Sequence, residues 1–456
     1  MTTIEPTSAM ARARRALAPW AGPRRQPGPS NLLAVSIGHG TIDIFNSMGP
    51  VLLAHLQLVM GLSAAQVGLA VGLYQLLAGA TQPLFGWWTD RQGLPRLSAW
   101  SVGWVLVLVV LSANLAPTIG FAAFVGLFAI AALGSGAFHP QGTMHAGIAL
   151  PGRASTTTAI FFFCGQVGLS LGPFLAGWVI DGQGLEGLYW LALLFAPVPL
   201  WMGMRLLPAA GLEVDRRVPG AGMGGTESSE PKPRESVAGA SSRRGSADAG
   251  SAEGVSDGPE AASSSSNGWS WPVALLTVVF SLRAWIFIGT ASFLPLLFQA
   301  GGASATRQGL LTGAFWLGGG FSGVIAGVLA DRIGKRLVAA ICTGFGALLL
   351  LALPDVSGVW ALAVVLLCGA LLGAPHSVLM VIAQEVLPVR RGLAAGYALG
   401  FLFSMGAVAS WCIGLLADQY ALESVIRAGA VPGILVALLL LLLPASTSAN
   451  PVESRS

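Results

Sequence analysis

Long runs of apolar residues recur along this chain from residue 31 to residue 443. Each run is long enough to cross a lipid bilayer as a helix, which takes about 20 residues. The runs are continuous and lack the strict alternation of a membrane β-barrel, so they predict an all-α membrane protein with twelve transmembrane helices. Numbered from the N-terminus, spans 1 to 12 are 31–58, 64–88, 96–115, 118–146, 153–180, 187–207, 271–299, 305–330, 336–353, 357–384, 391–417 and 423–443.

Two segments differ from the spans in kind. Residues 1–30 and 208–270 are rich in Gly, Ser, Ala and Pro and have too few bulky apolar residues to form a core. We therefore expect a disordered N-terminus (1–30), a six-helix bundle (31–207), a flexible linker (208–270), a second six-helix bundle (271–444) and a short tail (445–456).

The composition excludes several classes of protein. Apolar residues make up 54% of the chain and charged residues only 10%, and the mean hydropathy is +0.72. A soluble domain carries about 25% charged residues, so a water-soluble enzyme is excluded. A net charge of +4 over 456 residues is too small to indicate a nucleic-acid partner.

The distribution of cations predicts the orientation of the chain. With the N-terminus in the cytoplasm, nearly all Lys and Arg residues fall on the cytoplasmic side, and only Arg307 and Arg427 fall outside. Cytoplasmic loops are the ones that carry an excess of cations. We expect a multi-pass protein of the inner (plasma) membrane with both termini and the linker in the cytoplasm.

The two halves of the chain repeat each other at fixed offsets. One block matches at 241 residues and a second at 237 residues. This predicts two parallel six-helix repeats, the architecture of a transporter whose site lies between the halves. The first block aligns Ser63, Gly68, Gly72, Gly79, Gly86, Asp90, Arg91 and Gly93 with Ser304, Gly309, Gly313, Gly320, Gly327, Asp331, Arg332 and Gly334; the second aligns His139, Leu150, Pro151, Arg153, Gly177 and Asp181 with His376, Leu387, Pro388, Arg390, Gly414 and Asp418.

The loops after spans 2 and 8 carry a shared motif of Gly, Asp, Arg and Gly. It resembles the loop signature of the major facilitator superfamily, and the resemblance implies the major facilitator fold and a gating role for these loops. The second copy is nearly complete, whereas the first has Leu94, Pro95 and Arg96 where the signature has a cation pair. The gating residues that the resemblance implies are Gly86, Asp90, Arg91 and Gly93 in the first copy and Gly327, Asp331, Arg332, Gly334, Lys335 and Arg336 in the second.

Span 5 contains a second motif of small residues with a proline. Gly168, Gly172, Pro173 and Gly177 resemble the superfamily's antiporter-associated motif. Small residues allow helices to pack closely, and a proline removes a backbone hydrogen bond. Ordinary helix packing is the alternative explanation.

Four further segments resemble the fosmidomycin-resistance branch of efflux proteins within the superfamily. The resemblance covers nearly all of the spans but neither the termini nor the linker. Gln141 departs from the pattern, because an acidic residue is expected after Phe-His-Pro. The segments that carry it are 36–40 with Asp43, 82–86, 134–140 and 282–295.

Ionisable residues are rare within the spans. His39 and Asp43 lie one helical turn apart on span 1, His139 lies on span 4, Arg283 on span 7 and His376 on span 10. A charge at mid-bilayer costs roughly 2.5–3.5 kcal/mol, so such residues indicate a function. In the superfamily fold, spans 1, 4, 7 and 10 line the central cavity.

These residues suggest a proton site and a substrate site. We expect Asp43 to carry protons, with His39 tuning or relaying them, and Arg283 to bind an anionic or strongly polar substrate through its planar fork. The alternatives are a structural Asp43–Arg283 pair and histidines that only pack. We assign His139, His376, Gln75 and Gln82 to the substrate site alongside Arg283.

The sequence as a whole predicts a proton-coupled antiporter that exports a small drug-like, fosmidomycin-like compound by alternating access. A proton symporter that imports an organic acid or sugar is the alternative, and an integral-membrane enzyme is a distant one. No nucleotide-binding loop or metal-ligand motif is present, so we expect no cofactor and no metal. Because one chain holds both halves, we expect a monomer whose partners are its substrate, protons and the bilayer.

Overall fold

Eleven helices among the described residues are long and apolar enough to cross a membrane. The computed structural model describes residues 28–92, 96–206, 271–387 and 391–443, with the backbone but not the side chains of 90–92, 391–397 and 399. The predicted termini (1–30, 445–456) and linker (208–270) lie almost wholly outside these ranges. The helices are Pro29–Met60, Ala64–Thr89, Leu97–Ile148, Ala154–Gln183, Gly187–Arg205, Trp271–Ala300, Ala305–Ile333, Lys335–Asp355, Gly358–Val386, Arg391–Ala417 and Leu422–Leu442.

Spans 3 and 4 account for the difference between eleven helices and twelve spans. They share the 52-residue segment Leu97–Ile148, which is interrupted at Gly120 (φ 77°, ψ 167°). That backbone conformation is open to glycine and strained for other residues. The indole of Trp104 donates to the Ile130 carbonyl at 3.0 Å, so the two halves run antiparallel. The fold class of twelve transmembrane helices is therefore confirmed, with the reversal between spans 3 and 4 at Gly120.

The glycines of the span 5 motif pack against span 1. A Cβ added at Gly168 would meet the Gly40 carbonyl and the Asp43 side chain, and one added at Gly172 would meet the Ile44 carbonyl. Close approach of the two backbones thus requires glycine at both positions. This contact lies within the first bundle and positions the segment of span 1 that carries Asp43.

Two pairs of helices join the bundles, spans 2 and 11 and spans 5 and 8. Along both pairs, glycines of one bundle lie against backbone carbonyls of the other, so the helices approach as closely as helices can. The contacts are Gly68 with Ser410, Gly72 with Ala407, Gly414 with Ala64, Gly309 with Pro173, Gly313 with Ser170 and Gly177 with Ala305.

Among the described residues, the close backbone contacts between the bundles are concentrated toward one end. We call this the closed end; it is the end at which spans 2 and 8 begin, at Ser63 and Ser304. Toward the other end, a Cβ added at Gly86 would meet only Pro140 of its own bundle, and one at Gly327 would meet no described atom within 4 Å. On span 1, Leu33 and Ile37 lie toward that other end and are 54% and 40% exposed. The bundles therefore diverge away from the closed end.

The second copy of the loop motif is anchored within its own bundle. Lys335 forms an ion pair with Glu385 at the end of span 10, and Arg336 donates to the Leu443 carbonyl at the end of span 12. Gly334 joins spans 8 and 9 with φ +102°, a left-handed conformation that favours glycine. Of the first copy, Gly86 lies in a helix, whereas Gly93 and the side chains of Asp90 and Arg91 lie outside the described residues.

We predict that Gly172→Val lowers the thermal midpoint of the detergent-solubilised protein. The added side chain would meet the Ile44 carbonyl and the Ser47 hydroxyl, and overpacking costs about 1–3 kcal/mol. Gly126→Val is the matched control, because a Cβ there meets no described atom within 4 Å. Equal midpoints for the two variants would contradict the proposed packing of span 1 against span 5.

Candidate transport site

Asp43 lies between two imidazole rings in the first bundle. Its Oδ2 is 3.2 Å from Nε2 of His39, one turn earlier on span 1. Its Oδ1 is 3.6 Å from Nε2 of His139, which span 4 brings in. The side chain of Asp43 is 7% exposed and that of His139 is 21% exposed, so the cluster is sheltered but reachable from the space between the bundles.

Backbone carbonyls fix the orientation of both rings. Nδ1 of His39 lies 2.8 Å from the Phe161 carbonyl, and Nδ1 of His139 lies 2.8 Å from the Ser135 carbonyl. A carbonyl only accepts, so each Nδ1 carries a hydrogen and each Nε2 is left to face Asp43. The contact between a ring nitrogen and the carboxylate is favourable only when a proton lies between them. The cluster is therefore a place where protons can be held.

An amide completes the surroundings of Asp43. Asn46, one turn after Asp43 on span 1, donates from Nδ2 to Asp43 Oδ1 at 2.9 Å and to the Ser135 hydroxyl at 3.1 Å. Tyr74 of span 2 donates to Asn46 Oδ1 at 2.6 Å. These residues were not singled out in the sequence. The available signal was the amide of Asn46, three residues from Asp43 in an otherwise apolar stretch.

The side chains of His39, Asp43 and His139 could also hold a metal ion. One ligand atom from each of His39, Asp43 and His139 lies within 4.8 Å of the others. Histidine ligands commonly donate their second ring nitrogen to a carbonyl, as both rings do here. These ligand atoms are therefore suited to a metal cation as well as to a proton.

Arg283 lies in the second bundle without a counter-ion among the described residues. It is 1% exposed, and its Nη2 donates weakly to the carbonyls of Leu372 and Gly373 at 3.3 and 3.4 Å. Its Nε and Nη1 have no hydrogen-bond partner in the described part of the chain. A buried cation with unused donors is costly, so the site is incomplete without an anion.

The backbone next to Arg283 departs from the α-helix. Span 7 forms one π-helical turn at Trp285–Gly289, directly after Arg283. The guanidinium carbon lies 5.3 Å from the centre of the Phe287 ring, within range of a cation–π contact. Such turns occur frequently at functional sites, and this one places an aromatic ring beneath the cation.

The pairing of Asp43 with Arg283 that the sequence allowed is absent here. Among the described residues, Asp43 has its ionic contacts with His39 and His139. His376 comes shortly after Leu372 and Gly373, whose carbonyls accept from Arg283. It lies close enough to Arg283 to be affected by its charge. The repeat-related histidines therefore lie at different sites, His139 beside the carboxylate and His376 beside the guanidinium.

The two glutamines assigned to the substrate site have different surroundings. Gln75 of span 2 donates to the Ser292 hydroxyl on span 7 at 3.3 Å, and Ser292 lies 3.1 Å from the Ser410 hydroxyl of span 11. This contact crosses between the bundles nine residues after Arg283 on span 7. Gln82 lies at the start of the second half of span 2 and is half-buried.

Comparison with known proteins places this arrangement in a family. A family model described as Major Facilitator Superfamily matches residues 35–301 and 273–456. The chain is 28% identical over 408 residues to the Fosmidomycin resistance protein of Escherichia coli (strain K12), covering 86% of this chain and 88% of that protein. It is 25% identical over 413 residues to the uncharacterized MFS-type transporter YfnC of Bacillus subtilis (strain 168), covering 90% and 92%.

Solved structures share the fold. A D-xylose–proton symporter matches with a TM-score of 0.64 at 15% identity, over 92% of this chain and 98% of that one. The nucleoside transporter NupG matches with a TM-score of 0.64 at 13% identity, over 91% and 99%. The family match spans both bundles, and the resemblance drawn from the sequence motifs is confirmed. The chain therefore belongs to the major facilitator superfamily and is a multi-pass membrane transporter rather than an enzyme.

Proposed function

We propose that this transporter is a proton-coupled antiporter that exports a small anionic, fosmidomycin-like compound. It would lie in the inner (plasma) membrane as a monomer with both termini in the cytoplasm. The observation that carries the proposal is the separation of two buried charges: a carboxylate between two imidazoles in one bundle, and an unpaired guanidinium in the other. The likeness to a fosmidomycin resistance protein supports the choice of substrate class.

Asp43, His39 and His139 form the proton site of the proposed cycle. Both rings present Nε2 to the carboxylate, so a proton can pass between the ring and Asp43 over a short distance. His139 thus joins the proton site, whereas the sequence assigned it to the substrate. The cluster is sheltered on span 1 by the glycines of the antiporter-like motif, which leave no room for water between spans 1 and 5.

Arg283 is the substrate anchor of the proposed cycle. Its Nε and Nη1 are unused donors, and charge-assisted hydrogen bonds of this kind are those with which a guanidinium binds a carboxylate or phosphonate. His376 lies beside it and adds a donor for an anionic group. Gln75 bonds to Ser292 of the other bundle, and we assign polar contacts in the cavity to it and to Gln82.

The two sites have no residue in common, so a proton and a substrate anion do not compete directly for one site. Exchange of one for the other therefore requires a conformational change that couples the two sites. Span 2 contacts the elements of both sites: its Tyr74 bonds to Asn46, which bonds to Asp43, and its Gln75 bonds to Ser292 on the span that carries Arg283. Rearrangement of span 2 at the bundle boundary would therefore be felt at both sites. The loop motifs after spans 2 and 8 would gate the same movement.

The separation of the sites also permits a proton and an anion to be bound together. That is what a proton symporter of an organic acid requires, and it is the second candidate. The two candidates differ in the sign of the coupling, which transport in vesicles measures directly.

We predict that a vesicle lumen more acidic than the medium drives labelled fosmidomycin into proteoliposomes, with alkalinisation of the lumen. Asp43→Asn should remove the response to the gradient, because the carboxylate can no longer carry a proton. Asp355→Asn is the matched control, since this exposed carboxylate pairs with Arg427 within the second bundle and has no other ionic partner in the described ranges. Uptake driven by an acidic medium would instead identify a symporter, and undiminished coupling in Asp43→Asn would exclude Asp43 as the carrier.

We predict that Arg283→Met leaves the thermal midpoint of the purified protein unchanged or higher but abolishes fosmidomycin binding. Removing an unpaired buried cation relieves a desolvation cost, whereas breaking a buried ion pair destabilises by about 3–5 kcal/mol. Arg283→Lys should bind with intermediate affinity, because an ammonium lacks the planar fork. A large drop in the midpoint of Arg283→Met, or full affinity in Arg283→Lys, would favour a structural role.

A further inference from the structure

Two aspartates at the closed end form hydrogen bonds from one bundle to the other. Asp181, at the end of span 5, accepts from the backbone amides of Ala305 and Thr306 at 3.0 and 2.8 Å. Asp418, at the end of span 11, accepts from the amides of Ala64 and Ala65 at 2.7 and 3.1 Å. Each carboxylate thus uses both oxygens on the first turn of a helix in the opposite bundle.

Each helix start is capped partly by its own bundle and partly by the other. Ser63 accepts from the Gln66 amide at 3.2 Å, and Ser304 accepts from the Arg307 amide at 3.4 Å. These serines serve the third amide of each helix and leave the first two without a partner from the same helix. The aspartates supply those two, and a carboxylate at a helix N-terminus is favoured by the helix dipole. Both helix starts are therefore complete only while the bundles are together.

The two contacts are copies of each other. Asp418 follows Asp181 by 237 residues and Ala305 follows Ala64 by 241, the same offsets that relate the two halves of the sequence. The copies lie on the two helix pairs that join the bundles, spans 5 and 8 and spans 2 and 11. The proposed proton and substrate sites assign no role to these matched aspartates.

The surroundings suit a contact that breaks and reforms. Directly beneath the aspartates, Gly177 lies against the Ala305 carbonyl and Gly414 against the Ala64 carbonyl. At these positions backbone packs against backbone, so the helices can separate without rearranging interdigitated side chains. Both aspartates are exposed, so water can replace the amides when the bundles part.

We propose that Asp181 and Asp418 are paired gate residues that hold the closed end shut by capping the opposite bundle's helices. With the termini in the cytoplasm, this is the outer gate, and the alternation of a transporter would break and remake both caps in every cycle. The proposal needs that alternation but neither proton coupling nor an anionic substrate.

The test measures the closed end directly. Spin labels are placed at Glu186 in the first bundle and Ser357 in the second, both exposed near the closed end, in the full-length protein in lipid nanodiscs. Pulsed electron-paramagnetic-resonance distances then give the ratio of closed to open molecules without substrate or gradient. For this purpose alanine replaces the native cysteines Cys164, Cys342, Cys368 and Cys412.

Asp181→Asn and Asp418→Asn should each lower the closed-to-open ratio roughly tenfold, as expected for weakening hydrogen bonds to a charged group. The double variant should show the product of the two effects, because both caps exist only in the closed form. Asp355→Asn should leave the ratio unchanged, since its exposed carboxylate lies at the same end but bonds within one bundle.

A variant of one serine cap separates gating from helix stability. Ser63→Ala weakens one of the same helix starts, and no described contact joins the Ser63 side chain to the other bundle, so this variant should lower the thermal midpoint and leave the ratio unchanged. A ratio unaffected by the aspartate variants, or shifted as much by Ser63→Ala or Asp355→Asn, would overturn the proposal. The distance measurement uses no substrate. It therefore tests the gate residues even if the antiport proposal is wrong.

Discussion

A charge held between apolar helices needs a partner, because ionised groups are poorly solvated there. The two bundles meet this constraint in opposite ways. The first surrounds Asp43 with two imidazoles and an amide, so its charge is balanced by groups of the protein. The second leaves Arg283 with two donors that have no partner among the described residues, which is what an anionic substrate would supply in the proposed cycle. This difference is the basis on which we propose the first as the proton site and the second as the anion site.

The same constraint bears on how the bundles would move in the proposed cycle without exposing either charge. The boundary between them consists of glycines against backbone carbonyls and of a few polar contacts such as Gln75 with Ser292. No ion pair among the described residues crosses it. Charged groups are kept inside one bundle or at the exposed helix ends, where water replaces a lost partner. A boundary built in this way can open at one end and close at the other at small cost in desolvation.

Much of the fold could be predicted from the sequence, since bilayer thickness sets the length of each apolar run and the repeat sets the symmetry. The reversal between spans 3 and 4 was predicted at residues 116–117 and lies at Gly120, a few residues later. His39 and Asp43 could be paired from their spacing alone. The contact of His139 with Asp43 could not, because span 4 is brought to span 1 by tertiary packing. For the same reason the lack of a partner at Arg283 is visible only in three dimensions.

The exchange of protons for substrate is tested most directly by counting protons when the purified protein binds its substrate. A pH-indicating dye in weakly buffered detergent solution records this on addition of fosmidomycin, with the fosmidomycin pH-matched to the sample. The account predicts release of protons by the wild type and none by Asp43→Asn. Uptake of protons, or equal release by the two proteins, would contradict it.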